Sequence, residues 1–142
     1  MVSEFNEFLT HRLLEGAVDT LIKCGTLEKD IHVFYVPGAF EIPLLLKKIL
    51  KNKRWDAVIT LAVVIRGETR HFDQVVNETA RGIRELSVQS EIPVILGVIP
   101  AASIAQATAR VGIKQTNKGR EWALAALEMA NLMRQKGAFS GR

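Results

Sequence analysis

Apolar residues along the chain follow two patterns, helical spacing and short unbroken runs. Helical spacing predicts five helices, over residues 6–24, 41–51, 71–89, 103–110 and 117–136. The predicted buried stripe of the first helix is Phe8, Leu9, Leu13, Ala17, Val18, Leu21 and Ile22, and that of the last helix is Trp122, Ala125, Ala126, Met129, Leu132 and Met133. Unbroken apolar runs bounded by turn residues predict three buried strands, over residues 31–36, 57–65 and 94–98. Because helices and strands alternate, the pattern predicts a parallel sheet that helices cover on both faces, with right-handed crossovers.

Polar residues and glycines mark the ends of these elements. Asn6 is the predicted N-cap of the first helix, and Gly25 is predicted to end that helix. Only Met1 and Val2 could belong to a strand before it. We therefore predict a three-layer α/β/α domain over residues 1–142, with a parallel sheet whose first strand is largely missing from this sequence.

The composition is typical of a soluble globular chain and argues against membrane-spanning and nucleic-acid-binding functions. The 142 residues are 48% hydrophobic and 24% charged, and no apolar run approaches the ~20 residues that cross a bilayer. The sequence has no signal-peptide pattern and a single cysteine, Cys24. We therefore expect a cytoplasmic protein without membrane contact. The net charge of +4 comes from dispersed basic residues. It therefore favours a small anionic ligand over nucleic acid.

The junction after the strand 57–65 carries the candidate chemistry. A turn at Gly67 separates this strand from the next helix, and ligands of open α/β sheets bind at such junctions. A helix N-terminus favours an anion such as phosphate, and Thr69, Arg66 and Arg70 add a hydroxyl and positive charge. His71 adds the residue type whose ordinary pKa lies nearest neutrality. The junction therefore predicts a phosphate site beside a proton-transfer group.

A structural interpretation of the same junction stays open from these residues alone. Thr69 could serve only to cap the helix, and His71 could lie in its solvated first turn.

The remaining motifs indicate a family. The sequence resembles the 6,7-dimethyl-8-ribityllumazine synthase family over nearly all of residues 3–133. The resemblance is carried by Phe5-Asn6, Pro37-Gly38-Ala39-Phe40-Glu41-Ile42-Pro43, residues 64–73, Gly97-Val98, Gln106 with Arg110, Asn117-Lys118-Gly119 and residues 128–132. It implies a flavodoxin-like sheet and a transferase of riboflavin biosynthesis. Such an enzyme condenses 5-amino-6-(D-ribitylamino)uracil with 3,4-dihydroxy-2-butanone 4-phosphate, releases phosphate and water, and needs neither a metal nor another cofactor.

The resemblance also implies roles for individual residues. His71 corresponds to the proton donor and acceptor. The pyrimidine and ribityl contacts correspond to Phe5, Ala39, Phe40, Glu41, Val63, Val64, Ile65 and Leu96. The phosphate contacts correspond to the backbone of Glu68, to Thr69, to Lys118, and to Arg110 from the adjacent subunit.

Two site positions and the first strand depart from the family pattern. Leu96 stands where the family usually has phenylalanine, which removes an aromatic wall. Glu68 stands where a small residue is frequent, so we expect its carboxylate to point away from the phosphate, toward Arg66 or Arg70. Family members normally begin earlier, with a strand that ends where Phe5-Asn6 starts and lies inside the sheet.

The resemblance implies a homopentamer, because each family site lies between neighbouring subunits. The segment from Arg110 to Lys118 has no insertion, which is similar to members that form shells of twelve pentamers, so both assemblies stay open. We expect the apolar surface of the last two helices to form the interface. Two other functions compete with the enzyme: a flavodoxin-like module that binds a flavin phosphate, and an inactive shell-forming homologue.

Overall fold

The computed structural model describes residues 1–52, 54–67, 71–112 and 116–135. In this part of the chain the strands are β1 (Val2–Ser3), β2 (Tyr35–Val36), β3 (Val58–Ile65) and β4 (Val94–Ala101). The α-helices are α1 (Glu7–Lys23), α2 (Ile42–Leu50), α3 (His71–Ser90), α4 (Ile104–Arg110) and α5 (Lys118–Arg134). Two single 3₁₀ turns, Glu28–Asp30 and Ala39–Glu41, precede β2 and α2 respectively.

The strands form one parallel sheet in the order β2-β1-β3-β4. This is the strand order of flavodoxin-like folds, which reverses between β1 and β3. The first strand, expected to be largely missing, has two residues and lies inside the sheet, where Val2 pairs with Tyr35 on one side and Leu61 on the other. β3 and β4 pair over their whole lengths, from Val58 opposite Val94 onward.

Each face of the sheet packs against its own set of helices, which confirms the predicted three-layer architecture. The core under α1, α4 and α5 contains Val2, Leu9, Leu13, Ala17, Leu61, Val63, Ile99, Ala101, Ala107, Val111 and Ala123. The core under α2 and α3 contains Met1, Val36, Ala39, Ile42, Leu46, Leu50, Val58, Ala62, Ile83 and Ile92. Successive residues of β3, such as Ala62 and Val63, alternate between the two cores because strand side chains point to opposite faces.

The strand boundaries differ from the prediction in two places. Residues 31–34 lie outside β2, because β1, its neighbour in the described sheet, offers two residues to pair with. β4 continues past Val98 to Ala101 and includes Pro100. β4 is an edge strand in the described sheet, so the missing N–H of this proline is tolerated there.

The helices match the prediction in position but not in every buried residue. Gly25 follows α1 with φ +96°, which confirms its role as the residue that ends the helix. Phe8, predicted to be buried, is 60% exposed. In α5 the fully buried residues are small (Gly119, Ala123, Ala126 and Ala130). Of the predicted apolar face, Ala126 is buried and Trp122 packs against the core, whereas Met129, Leu132 and Met133 are each more than a third exposed. Small residues are required there because a Cβ at position 119 would overlap the backbone carbonyl of Leu13 in α1.

The amino end of the sheet is closed by the first residue. The Met1 amine donates to the Ile59 carbonyl at 2.7 Å, and burial lowers the pKa of this amine to about 5. A cavity of about 780 Å³ lies next to it, lined by apolar residues of α1 and α5 and by Trp55, together with polar residues such as Asp30, His32 and Asp56. Among the described residues, no helix is long and apolar enough to cross a membrane.

Candidate active site

Three chain segments that follow the strands come together at the carboxyl end of the sheet. They are Phe5-Asn6 after β1, Ala39–Glu41 after β2, and residues 66–71 after β3, of which 66, 67 and 71 are described. The place where β1 and β3 lie side by side is the reversal point of the strand order, where open α/β sheets bind their ligands. Most of the residues predicted to contact substrate therefore lie at the edge where a ligand is expected.

Phe5 offers an exposed aromatic face at this point. Its side chain is 71% exposed, which is unusual for a phenylalanine beside a hydrophobic core, and its N–H donates to the Pro37 carbonyl at 3.1 Å. The half-buried side chains of Val64 and Ile65 end the neighbouring strand β3, whereas Val63 is only 2% exposed. An exposed ring beside a partly buried apolar strand end is a suitable surface for a flat heterocycle.

The turn between Phe5 and α1 is fixed to β3 by a side chain. Asn6 has φ 60° and ψ 42°, a left-handed conformation that asparagine tolerates better than most residues. Asn6 is the N-cap residue of α1, as predicted, but its side chain makes no capping hydrogen bond, and its Nδ2 instead donates to the Val63 carbonyl at 2.8 Å. On the same turn, the Thr10 hydroxyl donates to the Ser3 carbonyl at 2.8 Å. This role of Asn6 is not predictable from its residue type, because asparagine suits both a helix cap and a left-handed turn.

The 3₁₀ turn Ala39–Glu41 forms the second wall of the site. Ala39 is buried at 6% exposure, whereas Phe40 is 55% exposed and Glu41 is also exposed. Gly38 precedes the turn, and a Cβ at that position would lie 2.9 Å from Oε2 of Glu41. Glycine therefore leaves room for the Glu41 carboxylate to fold back over the start of the turn.

His71 is the first residue of α3 and its side chain is exposed. The neighbouring Arg66 is already engaged: its guanidinium pairs with the Asp73 carboxylate at 2.9 Å and lies 4.4 Å from the ring centroid of Phe72. Arg66 is thus a support for the start of α3 more than a free phosphate ligand. Glu68, Thr69 and Arg70, which carry the predicted phosphate contacts and extra charge, lie outside the described residues.

Arg110 and His71 lie on helices that cover opposite faces of the sheet. Arg110 ends α4 and is followed by Val111, which is buried in the core shared with α1 and α5. His71 begins α3, which covers the opposite face of the sheet. The Nη1 atom of Arg110 is buried without a hydrogen-bond partner among the described residues, so this N–H lacks the acceptor that buried polar groups normally have.

Leu96 and Lys118 also lie apart from the carboxyl-end cluster. Leu96 is 45% exposed and pairs in register with Thr60, three residues before Val63 and thus about 10 Å along the sheet. It lines a surface depression with residues of α3. Lys118 pairs with Glu121 at 2.6 Å at the start of α5. The adjoining Gly119 packs on Leu13, about 9 Å along α1 from its first residue.

The described residues contain no group of three or more His, Cys, Asp or Glu side chains placed to hold a metal ion.

Comparison with known families adds an independent finding. The sequence model of one family, described as 6,7-dimethyl-8-ribityllumazine synthase, matches residues 1–134. The match includes every predicted site residue, among them Arg110, Leu96 and Lys118, which lie apart from the carboxyl-end cluster.

Proposed function

The chain belongs to the 6,7-dimethyl-8-ribityllumazine synthase family, and from this premise we propose its reaction and the roles of its site residues. Membership of this family supports a transferase-type enzyme of riboflavin biosynthesis. The proposed reaction condenses 5-amino-6-(D-ribitylamino)uracil with 3,4-dihydroxy-2-butanone 4-phosphate to 6,7-dimethyl-8-ribityllumazine. The observation that carries the proposal is the convergence of Phe5, Ala39–Glu41, Val64-Ile65 and His71 at one end of the sheet.

In the proposed mechanism the protein supplies position and proton transfer, because the substrate amine is itself the nucleophile. The 5-amino group of the uracil attacks the ketone of the butanone, and water leaves as the imine forms. Phosphate then leaves, and the ribitylamino nitrogen closes the second ring with loss of water. Holding both substrates in place can supply roughly 7–11 kcal/mol of barrier reduction. A positioned histidine typically adds about 10²–10⁴-fold.

Each residue takes one part of this work. Phe5 stacks on the pyrimidine, while Ala39, Phe40 and Glu41 contact the pyrimidine and the ribityl chain together with the β3 end, Val63 to Ile65. The amides of Glu68 and Thr69 hold the phosphate, and His71 moves protons between the amine, the ketone oxygen and the leaving groups. A flat apolar ring and a strand end suit the heterocycle, and a helix N-terminus suits the phosphate.

The phosphate site is completed by a second subunit in this proposal. Arg110 and His71 lie on elements that cover opposite faces of the sheet, which supports a guanidinium delivered by the adjacent chain. Arg110 would then bind a phosphate oxygen pair through two parallel hydrogen bonds of its guanidinium. Lys118 joins that contact, and Leu96 of the adjacent chain lies against the heterocycle.

Exposed apolar side chains on the last two helices support the self-association that the site requires. Ile104 of α4 and several residues of α5 (Leu124, Met129, Leu132 and Met133) are each more than a third exposed. Their exposure supports the proposal that these helices bind another chain. We propose a cytoplasmic homopentamer, with a shell of twelve pentamers as the larger alternative, and size-exclusion chromatography with light scattering separates the two by mass.

Direct assay tests the proposed reaction. Purified protein mixed with the two substrates should produce lumazine absorbance and one phosphate for each lumazine formed. A protein of the expected mass that forms neither product would instead be an inactive shell homologue. Release of a tightly bound flavin on denaturation would indicate the flavodoxin-like module, which the family match does not favour.

A further inference from the structure

One polar contact at the carboxyl end of the sheet has no part in the reaction proposed above. The Asn6 side chain crosses from the turn after β1 to the backbone of β3, where its Nδ2 donates to the Val63 carbonyl at 2.8 Å. The two strands pair in register only at Val2 and Leu61, before this point. Beyond them, the Asn6 contact joins the two segments that carry the proposed heterocycle site.

The backbone of Asn6 explains why a side chain is available for this contact. Its left-handed conformation turns the chain sharply between β1 and α1, and its carbonyl accepts from the N–H groups of Leu9 and Thr10 at the start of the helix. Asparagine is one of few residues besides glycine that adopt this conformation at low cost. Glycine would make the turn but could not reach Val63.

The residue before Asn6 is the exposed aromatic Phe5. Its ring has little protein packed around it, since 71% of its surface is exposed, so its position depends on the backbone that carries it. That backbone is held on one side by the Phe5 N–H bond to Pro37 and on the other by the Asn6 bond to Val63. Loss of the second bond would let the ring move relative to Val64 and Ile65.

We propose that Asn6 is a positioning residue that fixes the Phe5 ring against the end of β3 and so sets the affinity for the flat heterocyclic substrate. This inference rests on the function proposed above. Asn6 acts through Phe5 and does not need to touch the substrate. Its contribution should appear in KM for the uracil substrate, with little change in kcat, because the proton-transfer group lies on α3.

Asn6→Gly tests the proposal, because it keeps the left-handed turn and removes only the hydrogen bond. From the net free energy that one hydrogen bond typically contributes, we expect its loss to raise KM about 2- to 10-fold. Asn6→Asp should raise KM at least as much, since an ionised carboxylate cannot donate to the Val63 carbonyl. Glu91→Gly is the matched control, because Glu91 also has φ 60° but lies at the amino end of the sheet. We expect this variant to have an unchanged KM for the uracil substrate.

A double-variant comparison separates positioning from a general structural role. In a Phe5→Ala background, Asn6→Gly should add no further rise in KM, because the ring it positions is gone. An unchanged KM in Asn6→Gly, or the same fold rise with and without Phe5, would overturn the proposal.

Hydrogen exchange supplies a readout that needs no substrate. The Phe5 N–H, bonded to Pro37, should exchange faster in Asn6→Gly than in the parent protein, while exchange in α5 stays the same. Equal exchange at Phe5 would refute the positioning role even if the protein proved inactive. Failure to form lumazine in the parent protein, with faster exchange in the variant, would reject the proposed reaction and leave the positioning of Phe5 intact.

Discussion

Among the residues that the structure describes, each end of the sheet has one non-glycine residue in the left-handed conformation, and the two residues make different contacts. Asn6 at the carboxyl end sends its side chain across the sheet to Val63, beside exposed aromatic rings. Glu91 at the amino end joins α3 to β4, and its side chain forms no hydrogen bond or ion pair within the described residues. The same backbone shape is thus a plain connection at one end and part of a candidate site at the other.

The difference follows from the parallel arrangement of the strands. Every strand delivers its following segment to the carboxyl end, so aromatic, polar and titratable side chains collect there. At the amino end lie the buried Met1 amine and a cavity lined by both polar and apolar residues, away from the segments that follow the strands. We therefore expect substitutions at the carboxyl end to change activity, and changes at the amino end to alter the free energy of unfolding.

The largest expected effect is that of His71→Ala at the carboxyl end. We expect kcat to fall about 10²–10⁴-fold, because proton transfer is lost, while substrate positioning remains. The midpoint of thermal unfolding should hardly move, since the side chain is exposed. His32→Ala at the amino end is the control. It removes an edge-on contact with Trp55 and should leave kcat unchanged. Activity reduced to the uncatalysed rate in folded His71→Ala would contradict this division of work.

The next effect concerns the amino end and pH. In a chain that starts at Met1, burial lowers the pKa of the amine from 8.0 to about 5, so the unfolded state binds more protons between these values. The free energy of unfolding should therefore fall as the pH drops from 8 toward 5, by up to about 1.4 kcal/mol per pH unit. Urea unfolding at several pH values measures this slope. An N-acetylated chain should show a smaller slope, and equal slopes would refute the prediction.

The smallest effect expected is that of Glu91→Gly. Glycine relieves the roughly 1–2 kcal/mol cost of a left-handed residue but loses more conformational freedom on folding, about 0.5–1 kcal/mol. We expect the free energy of unfolding to rise by about 1 kcal/mol or less, with unchanged activity, as measured by urea unfolding and the lumazine assay. A loss of activity here would remove the distinction between the two ends.

Local patterns in the sequence predicted the positions of the helices and the long strands. They did not predict features that depend on contacts between distant segments. The helical stripe after Gly67 and the strand before it lie where the pattern predicts, because each element has enough residues of one spacing. The length of β2 could not be predicted, since it depends on how many residues β1 offers. The contact of Asn6 with Val63 joins residues 57 positions apart, which no local pattern records.

For the candidate site, too, the sequence predicted some features and not others. The family motifs placed Phe5, Ala39–Glu41 and His71 on segments that the fold brings to one end of the sheet. Phe8, Met129 and Met133, predicted to be core, are each more than a third exposed in the single chain. A core face and a face that binds another chain have the same apolar pattern in sequence. A single-chain pattern cannot tell which partner covers an apolar face.

The most direct test of the account asks whether His71 and Arg110 act across a subunit boundary. His71→Ala and Arg110→Ala chains, each with greatly reduced activity alone, are unfolded, mixed in equal amounts and reassembled together. If each site takes one residue from each neighbour, about a quarter of the sites in a randomly mixed assembly contain both intact residues. We predict recovery of about a quarter of the parent activity in the lumazine assay. Activity equal to the mean of the two variants, in an assembly shown to contain both chains, would contradict a shared site.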